Sequence, residues 1–485
     1  MIINQPQTVL LFCAYKKEMA FLDTKKTTLI LLALGLSTLI GSLNTMIFNV
    51  ALPTMVTYFN APLSTVQWLT SGYMLAAGMI IPAAGYLGDR FGYKRLLTVI
   101  LLSILALSLA GAFAWCIEIL IVIRFLFGLV AGLLSPLALA MFYRVLPVSQ
   151  QTKAASIWGM ATMLGAILPT VLTGLILSIA DWRFLLLFNV PFALLACALC
   201  IRVLPKDTQQ NQSKLDFVGM FLTSAGSFIL LFTFSNLSSW GFSLKLLTGF
   251  VLGLAFLIFY IVRSRHRSVV VLNLNVFKYH RYPAAFLVSG IYVIALCTIA
   301  FLMPLLLQNG LGLSPLATGV IMLPCSIISM LMMPVGSFLY NKTGEKLLTT
   351  IAVLIIIVGS IPFLTLTPST SVLLVVVIQI VRGAGMGLFN LIATNSQMSA
   401  IPPELSGHAS SLTNWFQQML NALMVGVASN IVDLRITAMG ANTPETIALA
   451  YTSTTNVVMA VSCLLLLLVI PIAMKFFRSK KELRG

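Results

Sequence analysis

The sequence predicts an all-α membrane protein with 14 transmembrane helices arranged 6+2+6. Three observations predict this. First, 59% of the 485 residues are hydrophobic, 8% are charged and the mean hydropathy is +1.02, whereas a soluble domain is about half apolar and about a quarter charged. Lipid accepts such an exterior but leaves the backbone to satisfy its own hydrogen bonds, which favours helices. Second, cutting the chain at charges, Pro/Gly and polar clusters leaves fourteen apolar runs near the ~20 residues a span requires. Third, two short motifs recur later in the chain at nearly the same spacing, as expected of two related halves.

Residues 1–26 read as a cytoplasmic segment. Its apolar run from Val9 to Tyr15 is too short to span and lacks the small-residue cleavage site of a signal peptide. Met19 is an alternative initiator, which leaves open whether residues 1–18 belong to the native protein. Six spans follow, centred on 29–52, 65–86, 96–115, 118–141, 154–179 and 184–204, and form a first bundle over 27–205. Two more, 217–236 and 244–262, make an insert over 206–265. After a cytoplasmic linker, 266–282, the spans 284–307, 315–339, 347–366, 372–394, 408–432 and 452–474 form a second bundle over 283–476. A cytoplasmic tail, 477–485, ends the chain.

Lys and Arg orient the spans, because they accumulate on the cytoplasmic side of short loops. Of the 29 basic residues, only Arg183, Lys245 and Arg435 fall in the opposite loops, while Arg124 and Arg382 fall inside spans. Both termini are therefore expected in the cytoplasm of a multi-pass cell-membrane protein. The same distribution argues against nucleic-acid binding despite a net charge of +17, since the charge is spread over many loops and forms no single basic face. Its expected secondary role is attraction to anionic membrane lipids. The seven cysteines are scattered, apart from Cys197 and Cys200 in an apolar run, so neither a disulfide framework nor a metal site is expected. No cofactor is expected either.

The repeat is visible at two places. "DRFGYK" (89–94) aligns with "NKTGEK" (341–346), and "IRFLFGLVAG" (123–132) aligns with "VRGAGMGLFN" (381–390). In the first, Asp89 and Arg90 end the second span, Gly85 and Gly88 permit close backbone approach, and Gly92 permits a tight reversal. A loop that only set topology would need Lys and Arg but neither the Asp nor the glycines, which favours a latch between bundles. In the second, Arg124 lies inside a span, where a charge costs roughly 2.5–3.5 kcal/mol on insertion scales, so it needs a partner. Arg382 is its counterpart in the second half.

These stretches resemble the major facilitator superfamily. "GYLGDRFGYKR" (85–95) is similar to its loop between the second and third helices, "LNTMIFNVALPTM" (43–55) to its first helix and "STVQWLTSGYMLA" (64–76) to its second. "WGMATMLGAILPTVLTGLI" (158–176) is similar to the fifth-helix motif of the fourteen-span multidrug:proton antiporter branch. The resemblance implies the major facilitator fold and proton-coupled export by alternating access. It implies that Asp89 clasps the other half when the transporter faces outward and that Arg124 takes part in proton transfer; an arginine that only fixes backbone carbonyls is the alternative. It also implies gating by Gly165, Pro169 and Gly174 of the fifth helix, ordinary tight packing being the alternative.

Polar and aromatic side chains within the spans suggest a substrate cavity: Asn44, Trp68, Tyr73, Asn189, Gln379 and Asn390. "NWFQQMLN" is the densest stretch, and its spacing puts Asn414, Gln417, Gln418 and Asn421 on one helical face. None of the 12 acidic residues falls near mid-membrane. Where relatives often have an acid in the first helix, this chain has Asn44. A bound cation would meet only aromatic faces and amide oxygens. Proton coupling then falls to groups at the cavity's edge, with Asp89 linked to Arg124 as the first candidate, Glu118 or Asp433 on the outer side, and His408 the one histidine worth testing. The expected function is secondary active export of hydrophobic or amphipathic compounds by a monomer, with an uncoupled permease of the same fold as the alternative. Enzyme chemistry wants a His, paired acids or an activated nucleophile, which this chain does not offer, and no GK[ST] phosphate loop suggests an ATP-driven pump.

Overall fold

The computed structural model describes residues 24–207, 216–241, 243–267, 270–367, 370–440 and 443–478. The run from Val9 to Tyr15, Met19, most of the link into the insert and the end of the tail lie outside the described residues. Every regular element described is helical. The first group comprises α1 (Thr24–Phe59), α2 (Trp68–Ile80 and Ala84–Phe91), α3 (Tyr93–Ala112), α4 (Ile117–Ala131 and Leu134–Val145), α5 (Val148–Ile179) and α6 (Phe184–Leu187 and Asn189–Val203). The insert is α7 (Phe217–Ser235) and α8 (Leu244–Ser264). The last group is α9 (Tyr282–Leu305), α10 (Pro315–Thr343), α11 (Glu345–Ser360), α12 (Val372–Met398), α13 (Ser406–Ala438) and α14 (Pro444–Leu467 and Val469–Phe476).

Among the described residues, 13 helices are long and apolar enough to cross a membrane, against the fourteen expected. The exception is α2. A 3-10 turn at Ile81–Ala83 containing Pro82 divides it, because proline has no N–H for the helical ladder. Its second part then ends in Asp89 and Arg90. Helix starts elsewhere follow their local sequence: Asp216 accepts from the Gly219 N–H at the head of α7, and Ser314 accepts from Ala317 at the head of α10.

Within the first group α1 packs on α5 and α2 on α4; within the last, α10 packs on α12 and α9 on α13. The groups meet along α5–α10, α4–α13 and α2–α13. The insert touches both of them through α7, which packs against α2 and α13. Asp216 ties its two helices together through Arg263 at 2.8 Å. Burial alone would raise the Asp216 pKa, but the hydrogen bonds from Arg263 and Gly219 outweigh it and hold the carboxyl below its ordinary value. On the outer face of α8, Leu247, Val251, Phe259 and Val262 are exposed, a surface that lipid covers.

The sequence repeat is also a structural one. Gly92 at φ 86° and Gly344 at φ 84° make the same reversal, between α2 and α3 and between α10 and α11, in a region that favours glycine. The orphan N–H groups of the next helix find different acceptors in the two halves. Those of Lys94 and Arg95 donate to the Asp207 carboxylate, each at 3.1 Å, whereas those of Glu345 and Lys346 donate to the Arg478 carbonyl at 3.1 and 3.2 Å.

Candidate functional site

At the end of the bundle where α1 begins, here the near end, the two groups are fastened together. Gly85 brings α2 against α13 so closely that a Cβ there would lie 2.6 Å from the His408 nitrogen. The Gly85 N–H donates to Ser411 Oγ at 2.8 Å, and Ser410 Oγ donates to the Pro136 carbonyl at 2.7 Å. Asp89 sits where these helices converge. Its Oδ1 accepts from Arg144 Nη2 at 2.6 Å and from the Tyr93 hydroxyl at 3.1 Å, and its Oδ2 lies 3.2 Å from His408 Nε2. Arg144 also reaches the Glu404 carbonyl at 2.6 Å and Ser406 Oγ at 3.2 Å, with its guanidinium 4.1 Å from the Tyr93 ring centroid. Burial pushes the Asp89 pKa upward, but the His408 hydrogen bond and the Arg144 charge together overcome that and hold it below the ordinary value.

The other latch residues fall around this junction. Gly88 leaves room for the Tyr93 ring, which a Cβ would meet at 2.6 Å. Arg90 is half-buried in the last turn of α2, next to Asp89.

Arg124 is fully buried but does not reach Asp89, so the expected link between them is corrected: Asp89 is held by Arg144 and His408 instead. Arg124 Nε donates to the Leu69 carbonyl at 3.1 Å and Nη2 to the Asn44 carbonyl at 3.0 Å, while Nη1 has no partner. Its guanidinium lies 4.3 Å from the Tyr73 ring centroid and 4.5 Å from that of Phe48. This is the carbonyl-fixing arrangement. Arg382 repeats it in outline, donating to Gln379 Oε1 at 3.0 Å with Nε unpartnered.

Between the groups lies a cavity of about 320 Å³. Tyr73, Asn414, Gln417, Gln418 and Asn421 line it. The facing wall mixes small and apolar residues, such as Gly41, Ala77, Ala131 and Pro136, with the hydroxyl residues Ser42, Thr45 and Ser135. No described lining residue is charged. The other five expected cavity residues are not in the lining, for physical reasons. Asn44 and Asn189 are fully buried and exchange amide hydrogen bonds at 2.9 and 3.1 Å, a dry pair between α1 and α6. Gln379 is taken by Arg382, and Asn390 accepts from Thr394 at 3.5 Å. Trp68, at the head of α2, is 42% exposed on the outside of the bundle.

The fifth-helix residues divide similarly. Gly165 packs on α1, where a Cβ would meet the Leu43 nitrogen at 3.0 Å, and Pro169 lies inside α5. Gly174 faces open space, with nothing within 4 Å of an added Cβ, so close packing does not require a glycine there.

Sequence reasoning missed Arg144, Tyr93, Ser406 and Ser411. The signal for Arg144 was present, since it is a basic residue at the near end of the helix that carries Arg124, but it was indistinguishable from topogenic charge. A second missed junction joins α9, α11 and α14 at the near end. There the fully buried Glu345 accepts from Arg281 at 2.5 Å and from the Arg478 N–H at 3.0 Å.

The sequence profile of the Major Facilitator Superfamily matches residues 34–425. The chain is 26% identical over 406 residues to the lincomycin resistance protein LmrB of Bacillus subtilis, covering 83% of this chain and 85% of that protein. It is 25% identical over 389 residues to the multidrug resistance protein B homolog of Mycobacterium tuberculosis, covering 79% of this chain and 72% of that protein. Its fold is similar to that of the proton:xylose symporter XylE, with a TM-score of 0.63 at 15% identity over 93% of this chain and 97% of that one.

Proposed function

The chain belongs to the Major Facilitator Superfamily, and on that premise we propose that it exports hydrophobic or amphipathic compounds across the cell membrane by proton-coupled alternating access. It is a multi-pass membrane transporter. The observation that carries the export reading is the uncharged cavity between two halves that are joined at the near end through Asp89, Arg144 and His408. With the near end cytoplasmic, this is the outward-facing state. Opening the near end means breaking the Gly85–Ser411 and Ser410–Pro136 hydrogen bonds and separating Asp89, already 27% exposed, from its partners across the junction. Proton uptake or release at Asp89 then becomes coupled to which side is open, because a ligand or proton shifts a two-state equilibrium only through its different affinity for the two states. The drug-resistance names of the relatives support a hydrophobic cargo.

The absence of a carboxylate from the described cavity lining favours a second reading, an uncoupled permease of the same fold. Efflux of a fluorescent amphipath from cells, with and without a protonophore, separates the two. Coupled export stops with the protonophore, whereas efflux that continues down its own gradient supports the permease.

A further inference from the structure

The cavity's electrostatics identify the class of cargo it takes. Its described lining carries no charge, but one lining residue, Tyr73, has the Arg124 guanidinium 4.3 Å from its ring centroid. Arg124 is 0% exposed, its hydrogen bonds go to two carbonyls, Nη1 has no partner, and no described carboxylate pairs with it. The second half repeats this: Arg382 is 3% exposed, donates to the neutral Gln379 and leaves Nε unpartnered. Arginine stays protonated in proteins, so each half holds an unneutralised positive charge within the bundle. Charges in a low-dielectric interior act over longer distances than in water. The resulting field opposes a cation and favours electron-rich groups.

The amide ladder of α13 then fixes where such a group docks. Asn414 donates to the Ser410 carbonyl at 2.8 Å and Gln417 to Ser289 Oγ at 2.7 Å. Gln418 and Asn421 also line the cavity, and among the described residues neither side-chain amide has a hydrogen-bond partner. On the facing wall, Ala77, Ala131 and Pro136 offer apolar surface interspersed with the hydroxyl residues Ser42, Thr45 and Ser135, which suits an amphipath. We propose that the cavity selects uncharged or anionic amphipaths carrying a hydrogen-bond acceptor, and excludes lipophilic cations. This deepens the export reading and rests on it for the use of the cavity.

Three probes of similar apolar bulk test the proposal: tetraphenylborate and tetraphenylphosphonium, which carry no hydrogen-bond acceptor and differ in charge alone, and triphenylphosphine oxide, which is uncharged and carries one. Their binding to the full chain in nanodiscs is measured at equilibrium, with empty nanodiscs subtracted. The borate and the oxide are expected to bind at least about tenfold more tightly than the phosphonium. Failure of the oxide to bind, or phosphonium binding within tenfold of the borate, overturns the proposal. In Gln418→Glu and Asn421→Asp, each checked for a native elution profile, the borate is expected to weaken and the phosphonium to tighten by about tenfold or more. Folded variants that leave both affinities unchanged overturn the placement of the ligand beside the α13 ladder. Gln418→Ala, which adds no charge, is expected to weaken the oxide and leave the phosphonium unchanged; an unaltered oxide affinity overturns the docking of the acceptor on that ladder. Equilibrium binding needs neither a proton gradient nor turnover, so its outcome is separate from that of the efflux assay.

Discussion

His408 Nε2 lies 3.2 Å from Asp89 Oδ2, joining the start of α13 in one half to the end of α2 in the other. Arg144 holds the opposite oxygen of the same carboxylate at 2.6 Å and also bonds the Glu404 carbonyl. One acid thus connects α2, α4 and α13.

Asp89→Asn removes the charge from this junction while keeping its shape. Hydrogen bonds to charged groups contribute about 1.5–3 kcal/mol each, so the near end is expected to open at least about tenfold more often. Ser410 is fully buried at this interface, and the labelling rate of a Ser410→Cys probe measures the change. Equal labelling rates with and without Asp89→Asn would show that the junction does not hold the halves together.

The Asp89 pKa is held below its ordinary value, so its ionised form stabilises the closed structure. That contribution is complete above the unfolded value of about 3.9 and is lost only as pH falls through the lower folded value. The melting temperatures of wild type and Asp89→Asn, compared from pH 7 downward, are expected to differ by an amount that does not shrink until pH is below about 4. A difference that vanishes between pH 5 and 7 contradicts the assignment.

Arg144→Lys keeps the charge but loses the planar fork that serves Asp89, Glu404 and Ser406 together. Export is expected to fall about tenfold or more, and Arg144→Ala to behave no better than the lysine variant. Full activity in Arg144→Lys contradicts a role for the fork.

Gly165 and Gly174 share a sequence motif but differ in surroundings. Gly165→Ala forces a methyl between α5 and α1, and overpacking typically costs about 1–3 kcal/mol, so its melting temperature is expected to drop. Gly174→Ala adds a methyl into open space and is expected to leave melting and transport unchanged. Equal losses in the two variants contradict the close α1–α5 contact at Gly165.

The helices were legible because lipid imposes one rule on every span, and α2 falls short of it because Thr70, Ser71, Tyr73 and Pro82 dilute its apolar run. Asp89 was legible because an acid among glycines has no topogenic use. Its partners were not: Arg144 looked like any basic residue at a helix end, and His408 is distant in sequence. The α13 amides were legible as a cavity wall because their spacing alone puts them on one face. Asn44 and Asn189 were misread because a polar residue in a span faces either a cavity or a partner, and only the rotation of the helix about its axis decides which.

The central claim is that cargo crosses only when the near end of the bundle opens. Tyr143 donates to Asn395 Oδ1 across this interface at 2.9 Å; in the paired variant Tyr143→Cys and Asn395→Cys the thiols are set apart by the length of the replaced tyrosine ring, too far for a direct disulfide, and a short bis-methanethiosulfonate reagent bridges them in proteoliposomes. The account predicts that bridging stops transport and that a reductant restores it, with neither single variant inhibited by the same reagent. Undiminished transport by the fully cross-linked protein would contradict it.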